Sequence, residues 1–339
     1  MKIAIFGAGA IGSYIAGKLS LVGAEITVFA RGEHGRAMAA KGLTLADLTG
    51  TYEVDVTVAG SAADIGAVDA VLVTTKNHHH KDIAQHVLPV LDDDTPVVFA
   101  VNGLPWWYGA GLDLPGISGD RDPARAILDP DKVLTEGIGA ARTVGCVVYS
   151  SNTIEKPGFV RNGMEVNRYY LSALDAAMEA RITPLKALFA EAGILGDEPG
   201  GDEVSIRQRI WKKLVYSMSL APVATLTELT NGQLRDNDAL MNLMRQVGRE
   251  GAAVAAAHGF DVTPDLKLPG GGRIANHRQS MLQDALLGRR IEFEPMVSLP
   301  LLYGRAAGLS CPMLETIAVL LQARFPKHDL VLTDPFSDT

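Results

Sequence analysis

The spacing of apolar positions changes character repeatedly over residues 1–31. Lys2–Phe6 is a short, nearly unbroken apolar run, the pattern of a strand buried on both faces. Gly7-Ala-Gly9-Ala-Ile-Gly12 follows at once, and Tyr14, Ile15, Ala16 and Leu19 then fall among the apolar positions of a helix. Glu25–Phe29 is β-branched and reads as a second strand. In the order strand, glycine turn, helix, strand, this spacing points to a dinucleotide site. Gly7 permits the tight turn, Gly9 lets the backbone approach a pyrophosphate, and Gly12 allows close packing of helix on strand. The expected cofactor-binding set is therefore Gly7, Ala8, Gly9, Ala10, Ile11 and Gly12, with the unpaired N–H groups of the helix start facing the phosphates.

The alternation continues. Ala70–Thr74 and Pro96–Val101 are buried-type strands, with a helix expected over His78–Leu91 between them. Asn102-Gly103 breaks the pattern at what should be the carboxyl edge of the sheet, where open α/β sheets bind their ligands. Thr143–Ser150 and the turn at Pro157-Gly158 read as the far part of the same domain. Gly193–Glu203 is rich in Gly, Pro and acids, and beyond it the spacing turns helical. Helices are expected over Ser205–Leu220, ending before Pro222, over Leu240–Ala257, and over Pro312–Phe325. The fold class is α/β: an N-terminal Rossmann-type dinucleotide-binding domain (residues 1–195) followed by an all-helical C-terminal domain (residues 196–339) for substrate and dimerisation.

Composition narrows the setting. Of 339 residues, 47% are hydrophobic, ample for buried cores. A net charge of −8 argues against a nucleic-acid partner. No apolar run is long enough to span a membrane, and the N-terminus reads as a core strand rather than a leader. Cys146 and Cys311 are too few for a disulfide framework, so a reducing cytoplasm fits. A homodimer is compatible with the apolar helical half.

The end of the second strand bears on which dinucleotide binds. An NAD site usually carries an acidic residue there, to hold ribose hydroxyls. This chain has Arg31, whose planar guanidinium suits a 2′-phosphate, so NADP(H) is favoured. Glu33 reads as an exposed residue of the next helix.

Four features are candidates for chemistry, each with a plainer alternative. Lys213, Ser217 and Ala221 are four apart and share a helix face beside an apolar run, where a lysine suits proton transfer. The alternative is a solvated lysine, which Lys212 is expected to be. Glu292 either serves a site or pairs with Arg289 or Arg290. Ser280 either binds a ligand or caps a helix as Ser-x-x-Gln. The loop Leu104–Leu128, with Trp106-Trp107, is either a binding lid or packing for the helical domain or a second subunit. His78-His79-His80 lacks the convergence that zinc requires, so no metal site is expected.

Taken together, Gly7-x-Gly9-x-x-Gly12, Arg31, Lys76, Asn102-Gly103, Trp211-x-Lys213-Leu214, Ser280-Met-Leu-Gln-Asp284 and Glu292 resemble the ketopantoate reductase family over nearly the whole chain. The resemblance implies NADPH-dependent reduction of a 2-keto acid. It implies that Lys213 is the catalytic proton donor and that Glu292 orients it and the substrate. Ser280 would bind the substrate carboxylate, Asn102 would lie by nicotinamide and substrate, and Arg31 and Lys76 would lie near the 2′-phosphate. Ser217 and Ala221 stand where the family has substrate-contacting asparagines; the Ser217 hydroxyl can still bond substrate, but the Ala221 methyl cannot. Val297-Ser298 replaces an expected Asn-Gly, and the Leu104–Leu128 loop is longer than usual. The alternatives are the same chemistry on another 2-oxo acid, or a non-catalytic NADP-binding sensor, whose mark would be loss of the lysine or glutamate.

Overall fold

The computed structural model describes residues 1–196, 204–263, 275–332 and 335–336. Most of the expected linker Gly193–Glu203, from residue 197 onward, lies outside the described residues. The chain forms two compact units, Met1–Val101 with Asp131–Ile206, and Asn102–Pro130 with Arg207–Thr339.

In the first unit the strands follow in the order β1 (Lys2–Phe6), β2 (Glu25–Phe29), β3 (Leu43–Asp47), β4 (Gly50–Val54), β5 (Thr57–Ala59), β6 (Ala70–Val73), β7 (Val97–Ala100), β8 (Thr143–Tyr149), β9 (Asn152–Lys156), β10 (Phe159–Asn162) and β11 (Arg168–Ala173). Seven form one sheet in the order β11-β8-β7-β6-β1-β2-β5. All neighbours are parallel except β11, which runs antiparallel to β8. β6 and β7 are buried along their whole length, as their unbroken apolar runs demand. The chain moves outward from β1 to β2 and β5, then returns to β6 on the other side of β1. That reversal makes the carboxyl end of β1 the topological switch point, where doubly wound sheets bind ligands. A second sheet, β4-β3-β10-β9, was not apparent from the sequence.

The second unit is helical, built mainly on the helices Ile206–Thr227, Asp238–Ala257, Leu299–Ala306 and Pro312–Arg324. The first of these does not stop before Pro222 but runs through it. Met218, Ser219, Leu220, Ala221, Val223, Ala224 and Thr225 are all buried around the proline. Tertiary packing on that scale outweighs the roughly 3 kcal/mol that an interior proline costs. Residues 102–130, expected within a continuous domain 1–195, belong instead with this helical unit. The reason is burial: Leu104, Trp106, Trp107 and Tyr108 are at most 2% exposed, and Tyr108 meets Trp211, His258 and Tyr303. Among the described residues no helix is long and apolar enough to cross a membrane.

Candidate active site

The glycine turn leaves β1 at Gly7, whose φ of +114° is left to glycine, and a Cβ there would meet Thr75 at 2.8 Å. The Thr74 hydroxyl donates to the Gly7 carbonyl at 2.6 Å, tying the turn to the end of β6. Gly9 is the cap residue of helix Ala10–Leu21 and supplies no side-chain acceptor to its first turn. A Cβ built on Gly9 meets nothing within 4 Å, whereas one on Gly12 would strike the Gly7 carbonyl. The result is an open cradle above a helix N-terminus, with backbone donors and the positive end of the helix dipole facing it. These residues fit the pyrophosphate of a dinucleotide.

A histidine that sequence reasoning passed over braces this cradle. His34 Nδ1 accepts from the Gly158 N–H at 3.0 Å, so Nε2 carries the proton and donates to the Ser13 hydroxyl, also at 3.0 Å. Ser13 in turn donates to the Ala8 carbonyl at 3.4 Å. Burial pushes the His34 pKa below its ordinary value, which favours this neutral form.

Arg31 is exposed directly beyond β2, at the cap position of helix Gly32–Lys41. Lys76 is half-buried just beyond β6, capping the 3-10 turn Asn77–His79. Since β2 and β6 flank β1 in parallel, both cations follow strands that end at the carboxyl edge. Of the three adjacent histidines, His80 is buried against Phe99, and its Nε2 lies 3.3 Å from the Thr75 carbonyl. The rings of His78 and His79 meet edge to face.

Asn102, Lys213 and Glu292 come together in the second unit. The Lys213 ammonium donates to Asn102 Oδ1 at 2.7 Å, and Asn102 Nδ2 donates to Glu292 Oε2 at 3.3 Å. Glu292 is buried and Lys213 half-buried, while neighbouring Lys212 is exposed. Asn102 reaches this position through Gly103, whose φ is +73° and where a Cβ would strike the Pro295 carbonyl. The Leu104 N–H donates to that same carbonyl at 2.8 Å, tying the asparagine turn to the segment that follows Glu292. That segment, Glu294–Ser298, is a π-helical turn, an irregularity frequent at functional sites. The arginine alternative resolves differently: Arg290 pairs with Glu294 at 2.8 Å, one helical turn on, and Glu292 binds Asn102.

Ser217 lies one turn beyond Lys213 and donates its hydroxyl back to the Leu214 carbonyl at 3.2 Å. Ala221, a further turn on, is buried. Ser280 is exposed as the first residue of helix Ser280–Leu286. It is not the cap; Gln279 holds that place, and the Gln283 side chain bonds the Arg278 carbonyl at 2.8 Å. The expected capping box therefore does not form. A cavity of about 330 Å³ also opens in this unit, lined in part by Asp113, Ser118, Asp122 and Arg125. It contains none of the three clustered residues.

A glycine cradle at a switch point, with cations following the flanking strands, joined to a helical unit holding an Asn–Lys–Glu cluster, defines a nicotinamide-dependent oxidoreductase. Comparison with known proteins agrees. The family model described as ketopantoate reductase PanE/ApbA matches residues 3–106, and its C-terminal counterpart matches residues 205–325. The 2-dehydropantoate 2-reductase of Mesorhizobium japonicum is 33% identical over 325 residues, covering 95% of this chain and 97% of that protein. A solved structure from Ralstonia solanacearum MolK2, provisionally described as a ketopantoate reductase, superposes with a TM-score of 0.80. It is 29% identical, with 97% of this chain and 99% of that one covered. The fold is shared more widely: a D-mandelate dehydrogenase solved with NADH and anilino(oxo)acetate gives 0.77 at 19% identity, over 97% of this chain and all of that one. This chain belongs to the ketopantoate reductase family.

Proposed function

We propose that the protein reduces ketopantoate to pantoate with NADPH, with Lys213 as the proton donor. The observation that carries this reading is the Lys213–Asn102–Glu292 cluster, in which an amide links an ammonium to a buried carboxylate. The relatives named 2-dehydropantoate 2-reductase support ketopantoate as the substrate. When bound, the reduced dinucleotide supplies a hydride to the keto carbon. As the C=O π bond opens, negative charge builds on the keto oxygen. The Lys213 ammonium stabilises that charge and transfers its proton there, giving the hydroxyl. Proton balance closes when solvent reprotonates the lysine, so one 2-oxo acid, one NADPH and one proton become a 2-hydroxy acid and NADP⁺. Glu292, held through Asn102, orients the lysine and the substrate. Ser280 binds the substrate carboxylate, and Ser217 offers one further hydrogen bond. The turn Gly7–Gly12 holds the pyrophosphate, and Arg31 with Lys76 receives the 2′-phosphate. The setting is cytoplasmic, the partner a small acid, and the assembly a homodimer.

A second reading is favoured by one observation: the helix face beyond Lys213 offers a serine already bonded to Leu214 and then a buried alanine methyl. Such a face suits a 2-oxo acid with a less hydroxylated side chain than ketopantoate. Initial rates of NADPH oxidation with ketopantoate, with NADH in parallel, decide between the two. A kcat/KM of about 10⁴ M⁻¹s⁻¹ or more with NADPH supports the first. A negligible rate with tight NADPH binding rejects ketopantoate and passes the test to other 2-oxo acids.

A further inference from the structure

Trp211 stands two positions before Lys213 in the sequence, and Tyr108 stands six after Asn102. A hydrogen bond joins them: the Trp211 indole N–H donates to the Tyr108 hydroxyl at 2.7 Å. Because an indole nitrogen can only donate, the tyrosine oxygen accepts there and its own proton is left for His258 Nδ1, also 2.7 Å away. His258 is thereby held with its proton on Nε2. All three side chains are buried, and the Tyr108 and His258 rings also pack on Tyr303. Burial pushes the His258 pKa down to about 4, so the imidazole stays an acceptor at neutral pH. The charges around this group are Arg207 and Asp122, the latter accepting from the Tyr303 hydroxyl.

A second set of contacts acts on the same stretch. Arg207, one turn before Trp211, donates to the Tyr108 carbonyl at 2.9 Å and to the Ala110 carbonyl. At the other end, Leu104 is bonded to Pro295. Residues 102–110 are thus fastened at one end to the segment after Glu292 and at the other to the helix of Lys213. Phenylalanine would fill the Tyr108 site equally well as apolar bulk. The hydroxyl adds direction, because a dry hydrogen-bond chain tolerates one register and penalises the others.

We infer that Tyr108, clamped between Trp211 and His258, is a positioning residue that sets the Asn102 turn against the helix of Lys213. Through that register it fixes the contact between the Lys213 ammonium and Asn102 Oδ1. Its effect on rate rests on the reading of Lys213 as proton donor; its effect on the lysine itself does not.

The test is Tyr108→Phe, with Trp211→Phe as a second variant that removes the indole donor and leaves the Tyr108 hydroxyl in place. Lys213 titration is followed by NMR of protein carrying ¹³C-labelled lysine, alongside steady-state kinetics, NADPH affinity and melting temperature. Withdrawal of the Asn102 side-chain carbonyl, which accepts from the ammonium, should move the Lys213 titration downward. The kcat should fall about 10- to 100-fold, with KM and NADPH affinity changed less than about threefold. In an Asn102→Ala background, Tyr108→Phe should cost no further rate, since the residue through which it acts is gone. An unmoved Lys213 titration in both phenylalanine variants, or rate losses that simply multiply with Asn102→Ala, would reduce Tyr108 to core packing. Should Tyr108→Phe fail to fold, Trp211→Phe carries the same readouts. A wild-type protein that reduces no 2-oxo acid, yet whose lysine titration moves in Tyr108→Phe, would sink the functional reading and leave the positioning role standing.

Discussion

Lys213 and Asn102 lie 111 positions apart in the chain, yet the ammonium of one and the amide oxygen of the other meet at 2.7 Å. An amide oxygen is a neutral acceptor. It orients the lysine without taking its proton, and the –NH₂ on the same group remains for Glu292 at 3.3 Å. One side chain therefore touches both Lys213 and Glu292.

If Lys213 donates the proton, Lys213→Ala should lower kcat about 10³-fold, the size of a lost general acid and charge stabiliser. NADPH affinity, measured by quenching or enhancement of its fluorescence, should stay within about twofold, because the glycine cradle, Arg31 and Lys76 belong to the other unit. Normal turnover in this variant would remove the lysine from the mechanism.

Arg31 gives a test of cofactor choice. Arg31→Ala should weaken NADPH by about 10- to 100-fold, the worth of one charge-assisted hydrogen bond to a phosphate, and leave NADH nearly unchanged. Parallel KM values for the two cofactors supply the ratio. Equal losses for both would place the 2′-phosphate elsewhere.

Two glycines with almost the same backbone offer a matched pair. Gly103 and Gly111 have φ of +73° and +72°, but a Cβ at Gly103 would strike the Pro295 carbonyl, whereas one at Gly111 would meet nothing within 4 Å. Gly111→Ala should cost about 1 kcal/mol, the ordinary penalty of that conformation. Gly103→Ala should cost more and should also lower kcat, because the turn it moves carries Asn102. Urea denaturation with rate measurements on both variants checks the contrast.

Stability should fall with acid through His258. Burial lowers its folded pKa from 6.5 to about 4, so below pH 6.5 the unfolded chain binds a proton that the folded chain refuses. The neutral histidine's contribution is fully present above about pH 6.5 and is lost progressively down to about pH 4, up to roughly 3 kcal/mol. Trp106, Trp107 and Trp211 all belong to the same unit as His258, so tryptophan fluorescence reads its unfolding. His258→Gln should flatten the pH slope of the urea midpoint; an unchanged slope would assign the acid sensitivity to other groups, His80 among them.

What the sequence disclosed follows from where each signal resides. β1, the first helix and β2 were legible because burial on the sheet and the glycine spacing act within a short window. β4 and β9 alternate weakly or face solvent almost throughout, so no apolar run announces them, and the second sheet went unseen. Lys213, Asn102 and Glu292 could be named from their motifs, but the bonds between them are long-range and have no local signature. The Arg290–Glu294 pair, by contrast, had the helical spacing of four and was overlooked in favour of Glu292. The pair Trp106-Trp107 stands out in the sequence, but Tyr108 beside it does not, because its partners Trp211 and His258 are set only by tertiary packing.

The chain's early excursion into the helical unit has a cost during synthesis. Tyr108 must wait for His258, 150 positions later, and Asp122 waits 181 positions for Tyr303. At roughly 5–20 residues per second of translation, 150 residues take about 8 to 30 s. Through that interval Tyr108 lacks the Trp211, His258 and Tyr303 rings it packs against. Rapid translation downstream of residue 130 should therefore raise the soluble yield.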